Sequence, residues 1–369
     1  MKSFFLATQP LFEGSGISQK IRTQYKAFVE NGIEMSFCYQ RTEEDGTINY
    51  YVGDKFLCSL GKGFKAHMAL YYRYDEIYNY IRDNNIRFLF IRYIQLANPF
   101  YNNFLDKVKK LGVTIYIEIP TYPYDGEYTV GVAKKIQKWI EKKYRVKFSK
   151  YVDRVITYAD VPTIFDIPAI KISNGVDMES VPTRCIQKHT SINLLGVAML
   201  AKWHGYDRLI EGIGIYYIKG GTEDIHFYII GSKGQIADEY KQLADKYNIS
   251  DRIHLEGIKS GTELDYYFDI ADVAIGCLAC HRKNIKSVKS LKNVEYAARG
   301  IPFTYSEEND DFDSMPYVLK QAPDESPIDV SELINFINRI KLEPKQIRKS
   351  VENNFSWKYQ IRTVLKSLC

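Results

Sequence analysis

Cysteine is scarce. The 369 residues hold 6, at Cys38, Cys58, Cys185, Cys277, Cys280 and Cys369, too few and too scattered for a disulfide framework in a chain of this length. A reducing compartment is expected. The run from Met1 to Pro10 is too short in apolar residues for an export signal, and no window approaches the ~20 apolar residues of a membrane span. The chain is therefore expected to be cytoplasmic. Histidine is equally sparse, and none accompanies Asp310, Asp311 and Asp313. Those acids read as a solvated loop rather than a metal site, and no metal is expected. The net charge of +5 is too small to imply a nucleic-acid partner.

What is present is length and one concentrated patch of charge. A chain of 369 residues suggests two or three domains, on a prior of about 150 residues each. Between residues 129 and 154, Lys134, Lys135, Lys138, Lys142, Lys143, Arg145, Lys147, Lys150 and Arg154 face only Glu141 and Asp153. Val132, Ile136, Trp139 and Ile140 have the spacing of one helical face. Two readings stay open: a helix solvated on its charged side, or docking of 129–154 on an anionic membrane surface.

In chain order, Phe4 to Ala7 reads as a strand and Gln9 to Ser15 as a loop. A helix follows with Ile17, Ile21, Tyr25, Phe28 and Val29 on one face, stopped at Gly32, and Met35 to Tyr39 completes a βαβ opening. Gly14-x-Gly16 resembles a dinucleotide fingerprint, but Gln19 holds the third glycine position and no acid ends the second strand. A dehydrogenase is not indicated. Gly16 remains a place where a ligand can approach the backbone. A hairpin near Asn49 to Leu60, a helix from Phe64 to Arg82, a strand Phe88 to Ile91, a helix Phe100 to Lys110 and a strand Val113 to Ile117 come next. They lead to the loop Glu118 to Tyr128, which crowds carboxylates, tyrosines and prolines where open α/β sheets bind ligands. Tyr122 and Asp125 are its candidate sugar or acceptor contacts.

A second alternation of strands and helices starts at Asn193 and runs to Thr304, after further short strands at Val155 to Thr157 and Ala169 to Ser173. The fold class expected is α/β, with two doubly wound parallel-sheet, Rossmann-like domains at 1–177 and 191–355, a polar linker at 178–190 and a cleft between the domains.

One stretch of the second series concentrates the chemistry. Ser290 is placed to cap a helix running through Arg299, Gly300 supplies its stop, and Ile301-Pro302-Phe303 opens a strand. Lys292 and Glu295 are i,i+3 neighbours in its first turns. A helix start with free amides and a lysine attracts a diphosphate, and a carboxylate one turn on can accept from sugar hydroxyls. The plainer reading is a surface helix with a weak Lys–Glu pair. Gly231-Ser232-Lys233-Gly234, after the strand His226 to Ile230, is either a contact to base or diphosphate or only a turn. Cys277-x-x-Cys280-His281 has the letters of a haem attachment site, and a lone zinc site is a second alternative, but two buried or loop thiols are the expected reading.

The chain resembles a family 4 retaining glycosyltransferase of the GT-B fold, in the branch that builds capsular and exopolysaccharide. The stretches that carry the resemblance are Lys202 to Gly212, His281-Arg282-Lys283, Ser290 to Pro302, Glu118 to Tyr124 and Asn174-Gly175-Val176-Asp177. It implies a UDP- or GDP-sugar donor, UDP favoured, with no other cofactor and a lipid-linked saccharide acceptor. It also implies a C-terminal helix, 356–369, crossing back to the first domain, and a peripheral place at the inner face of the cell membrane. The resemblance assigns Glu295 to the donor ribose, Ser290 and Leu291 to the diphosphate through their backbone, and Gly16 to the same diphosphate; Gly231 is a candidate nucleotide contact by the position of its loop alone. Glu118 stands where relatives place a histidine near the donor sugar. The first acid of the family's paired motif is replaced by Ser287, and its usual Arg and Lys by Met199 and His204, so Lys202 and Lys292 are the expected cations for the leaving diphosphate. His281 and Arg282 join Tyr122 and Asp125 as expected sugar contacts. Two rivals remain: a nucleotide-sugar epimerase of the same fold, and a catalytically silent subunit that binds saccharide or a partner transferase.

Overall fold

The computed structural model describes residues 1–12, 15–125, 131–231 and 234–368. Gly14, Gly126, Glu127, Tyr128, Ser232 and Lys233, named above, lie outside them, as does Cys369. The described chain divides into two compact units, Met1–Ser173 with Trp357–Cys369, and Asn174–Ser356.

The first unit opens with β1 (Lys2–Pro10), α1 (Gly16–Glu30) and β2 (Glu34–Thr42), then the ribbon β3 (Thr47–Val52) and β4 (Lys55–Lys62). Helices α2 (Gly63–Ala69) and α3 (Asp75–Asp83) precede β5 (Phe88–Arg92), α4 (Pro99–Lys110), β6 (Thr114–Ile119), α5 (Val132–Arg145), β7 (Arg154–Thr157), β8 (Thr163–Ile164) and β9 (Ile167–Lys171). The sheet order is β4-β3-β2-β1-β5-β6-β7-β9-β8. From β2 to β9 the neighbours pair in parallel, and the short antiparallel strands lie at the edges. Every residue of β5 is buried, as an unbroken apolar strand covered by helices on both faces must be. Sequence spacing suggests one helix from Phe64 to Arg82. Instead the chain breaks at 70–74, where Arg73 donates to the Ser59 carbonyl at 2.6 Å and bonds Glu76, tying the turn to β4. α4 begins where its letters say, with Asn98 Oδ1 accepting from Phe100 N (2.8 Å) and Tyr101 N (3.1 Å) ahead of Pro99 in the first turn.

The second unit holds β10 (Ile192–Ala198), α6 (Tyr206–Ile218), β11 (Ile225–Gly231), α7 (Gln235–Lys246), β12 (Ile253–Gly257), α8 (Gly261–Ile270), β13 (Val273–Ile275), α9 (Leu291–Arg299), β14 (Phe303–Tyr305), β15 (Val318–Lys320), α10 (Val330–Arg339) and α11 (Pro344–Glu352). Its six strands run parallel in the order β12-β11-β10-β13-β14-β15. In both sheets the order reverses once, between β1 and β5 in the first and between β10 and β13 in the second. The carboxyl ends at such a reversal are where doubly wound sheets take ligands.

The stretch read as a free linker, 178–190, is packed on the second unit. Arg184 N donates to Arg299 O at 2.8 Å, Cys185 N to Asp269 Oδ1 at 2.7 Å, and the Arg184 guanidinium to the carbonyls of Gly300 and Ala271. Residues 185–190 are exposed, so the attachment is made by Arg184 and by a few backbone amides. At the other end α12 (Trp357–Leu365) returns to the first unit: the Lys358 carbonyl accepts from Asn31 Nδ2 at 2.9 Å, and Tyr116 donates to Ser367 O at 2.9 Å.

Candidate functional site

In the second unit, three chain segments converge beyond the carboxyl ends of β10, β13 and β14. The 3-10 turn Lys202–His204 follows β10, a loop and the 3-10 turn Cys280–Lys283 follow β13, and Ser306-Glu307 follow β14. Backbone bonds lock them together: Leu278 N to His204 O at 2.8 Å, and Ser306 N to Cys277 O at 2.9 Å. α9 begins beside them with Ser290 at the cap, but the Ser290 side chain makes no capping bond. The first-turn amides of α9 therefore lack the side-chain acceptor that usually serves them, and they keep their attraction for an anion.

Lys292 turns inward from this turn. It does not pair with Glu295. Its Nζ is buried without a hydrogen-bond partner and lies 5.9 Å from the centre of the Tyr206 ring. Burial works against its charge, but Cys277, Tyr296 and Glu307 outweigh it and raise its pKa, so the ammonium persists. The neighbouring Asn293 is fully buried, with neither side-chain polar atom partnered. Native interiors rarely leave so many polar atoms unpaired in one place. Burial, then the charge of Lys292, hold His204 at a pKa of about 2, so it is a neutral ring and supplies no cation. Lys202 is exposed on its turn, where its carbonyl accepts from Arg282 at 2.7 Å.

The remaining expected residues of this unit divide. Glu295 is partly exposed on α9 and accepts from Arg299 Nε at 2.9 Å. Gly231 ends β11 where an added Cβ would lie 1.8 Å from the Ala198 carbonyl oxygen, so close backbone packing alone requires the glycine. His281 and Arg282 are partly exposed and already paired with acids. Arg282 bonds Asp207 (3.0 and 2.7 Å) and Glu325, and His281 Nε2 lies 2.7 Å from Glu325. The two residues form a surface ion-pair network with acids that lie far from them in sequence. The loop of Asp310, Asp311 and Asp313 is likewise not simply solvated, because Lys289 pairs with Asp310 and Asp311 at 2.9 and 2.6 Å, and Lys320 with Asp313 at 2.8 Å.

In the first unit the structure corrects the reading of Glu118. It is not an open carboxylate but a fully buried one near the end of β6, in register with Arg92 on β5. Arg92 Nη1 lies 2.7 Å and Lys20 Nζ 3.4 Å from its oxygens, while Tyr158 and Gln24 donate to it. Burial disfavours its charge, yet these two cations and donors prevail and hold the pKa at about 2. Burial also brings the Lys20 pKa down to about 7 against the pull of Glu118. The carboxylate is thus the centre of a buried polar cluster. Arg92 also lines a pocket of about 240 Å3 at the carboxyl ends of β1, β5 and β6, together with Gln9, Gln95, Thr121 and Tyr124. Arg92, missed from sequence, is signalled only as a charge ending the apolar run Phe88 to Ile91. Tyr122 packs its ring on Phe165, and Asp125 is gripped by Arg145 at 2.9 and 2.8 Å, which fastens the loop to α5. Gly16 opens α1 with nothing near its missing Cβ.

The basic helix α5 also faces the other way from its apolar spacing. Val132, Ile136 and Trp139 are 74, 54 and 64% exposed, so they form an apolar stripe among lysines rather than the buried face. The buried anchor is Glu141, which accepts from the hydroxyls of Tyr93 and Tyr124, both at 2.7 Å, and from Arg145 at 3.1 Å. No described helix is long and apolar enough to cross a membrane.

No protein-family profile matches the sequence, and no curated protein matches it. Solved structures do match along nearly the whole chain. A sucrose-phosphate synthase from Thermosynechococcus elongatus is 14% identical with a TM-score of 0.69, covering 100% of this chain and 99% of its own. A glycosyltransferase from Rickettsia africae is 12% identical with a TM-score of 0.66, covering 99% and 97%. TarM of S. aureus, in a complex that includes UDP and alpha-GlcNAc-glycerol, is 11% identical with a TM-score of 0.62, covering 99% of each chain. At such identities the likeness establishes the fold: this is a two-domain α/β chain of the GT-B architecture.

Proposed function

We propose that the chain is a retaining glycosyltransferase that transfers a hexose from a nucleotide-diphosphate sugar, UDP favoured, to a lipid-linked saccharide in bacterial surface-polysaccharide synthesis. The observation that carries this reading is the buried, unpartnered Lys292 ammonium beside the uncapped amides of α9, at the strand reversal of the second sheet. A departing nucleotide diphosphate gathers negative charge. Fixed amides and a cation already stripped of water stabilise that charge more in the transition state than in the ground state. In this reading Glu295, partly exposed one turn on, accepts from the ribose hydroxyls. The 240 Å3 pocket of the first unit, with Arg92 and Gln95 on its wall, suits a polar acceptor. The exposed apolar stripe of α5, set among Lys134, Lys135, Lys142 and Lys143, suits an anionic lipid surface that would present a lipid-linked acceptor.

A screen of nucleotide sugars with a lipid-linked saccharide, read by mass spectrometry, tests the reading. The expected product is acceptor enlarged by one hexose. Isomerised donor with no acceptor present would favour an epimerase, and a chain that binds no nucleotide at all would refute both enzyme readings in favour of a silent subunit.

A further inference from the structure

The segment after β13 and the segment after β14 bring three ligand-type side chains together that sequence spacing does not connect. Cys277 and Cys280 are 7 and 5% exposed, and Glu307 is 2% exposed. One ligand atom from each lies within 4.8 Å of the other two, and among the described residues this is the only such group. In a tetrahedral zinc site with Zn–S of about 2.3 Å and Zn–O of about 2.0–2.2 Å, neighbouring ligand atoms stand roughly 3.5–3.8 Å apart. Neither Glu307 oxygen has a hydrogen-bond partner, although the group is buried. A buried carboxylate bare on both oxygens calls for an ion or water that satisfies it.

We infer that Cys277, Cys280 and Glu307 form a binding site for one divalent zinc ion, a role that does not depend on what the protein transfers. The donor set argues for zinc: two thiolates exclude magnesium and calcium, and a C-x-x-C pair with one oxygen is a tetrahedral set whose fourth position takes water. Binding releases to solvent whatever protons Cys277, Cys280 and Glu307 carry, and zinc with two thiolates and one carboxylate leaves a net single negative charge. Lys292, packed against the same groups, is the counter-charge. The ion ties the end of β13 to the end of β14, the two segments that frame the start of α9.

The test uses the full chain purified with reductant and without chelator. About one zinc per chain is expected by elemental mass spectrometry. Replacement by cobalt should give a thiolate-to-cobalt charge-transfer band with the visible absorption of a tetrahedral ion. Cys280→Ser should abolish the band, and Glu307→Gln should weaken zinc affinity by at least the roughly 10–100-fold that loss of an outer partner costs. Cys185→Ser, at an exposed thiol outside the group, should change neither. Zinc well below one per chain together with no cobalt band in the unmodified protein overturns the site, whatever the variants do. So does recovery of Cys277 and Cys280 as a disulfide in freshly reduced protein.

Discussion

Lys292→Met separates a binding lysine from a structural one. The replacement keeps length and removes the charge. In the free protein two effects oppose each other: burial of the ammonium, which the change relieves, and its attraction to Cys277 and Glu307, which the change forfeits. Exchange of a buried charge for a hydrophobe of similar size is often near neutral, so unfolding free energy should move by no more than about 1 kcal/mol. Binding has no such compensation. A hydrogen bond to a charged group contributes about 1.5–3 kcal/mol, and at ~1.4 kcal/mol per tenfold the UDP affinity should fall about 10- to 150-fold. At a UDP concentration 100 times the original Kd, ligand stabilises the native protein by about 2.7 kcal/mol, and a 100-fold loss leaves about 0.4 kcal/mol. For a unit of this size each kcal/mol moves Tm by about 2–4 °C, so a shift of several degrees shrinks to about one. Calorimetric titration and a thermal melt of both proteins read the two quantities. A folded Lys292→Met that binds UDP as tightly as the original refutes the site.

Glu118→Gln should lower stability by about 3–5 kcal/mol in urea titrations, because it strands Arg92 and Lys20 together in the interior. The folded pKa of Glu118, about 2, lies below its ordinary 4.5. Its contribution, on the order of 3 kcal/mol, is therefore complete above pH 4.5 and is lost as pH falls toward 2, so the variant should show a shallower acid limb. Gly300→Ala places a Cβ at φ +78°, 2.3 Å from the Pro344 carbonyl oxygen; a loss of about 2–4 kcal/mol is expected, from left-handed strain plus overlap. On α5, Ile136→Asp with Trp139→Ala should abolish flotation with anionic vesicles while leaving the melt unchanged, and binding of the original protein should weaken with salt.

The strands and helices of the second unit were legible in detail. α9 runs from Leu291 to Arg299, between the start at Ser290 and the stop at Gly300 that the letters mark. β15 and α11 were not, because a three-residue edge strand shows no period and Pro344–Glu352 is polar on most of its surface. For the basic helix the sequence left two readings open, solvated on its charged side or docked on a membrane, and the structure leaves its apolar side exposed. Apolar spacing says which residues share a side but not whether a buried Glu141, held by two tyrosines and an arginine, draws the opposite side inward. Glu118 failed for a related reason: a carboxylate at a strand end looks catalytic until the cations that neutralise it, Lys20 on α1 and Arg92 on β5, are brought in by the fold.

The cation of the second unit makes the same point in a form that bears on function. Where relatives are expected to place a basic pair after the first strand, this chain has Met199, which is exposed, and His204, which is buried and neutral. Lys202 is the nearest lysine in sequence, yet its side chain is exposed on the surface of the turn. Lys292 comes from a different helix and arrives beneath His204, close enough that its charge depresses that ring. A diphosphate needs positive charge at one point in space and is indifferent to which strand or helix supplies it. Loss of the basic pair therefore argues for a silent site only if no other chain segment supplies the charge, and in the proposed reading the first turn of α9 supplies it. Lys292 Nζ has no hydrogen-bond partner, and its attraction to Cys277 and Glu307 keeps it charged where it sits, so the same ammonium remains available to an anion at the start of α9.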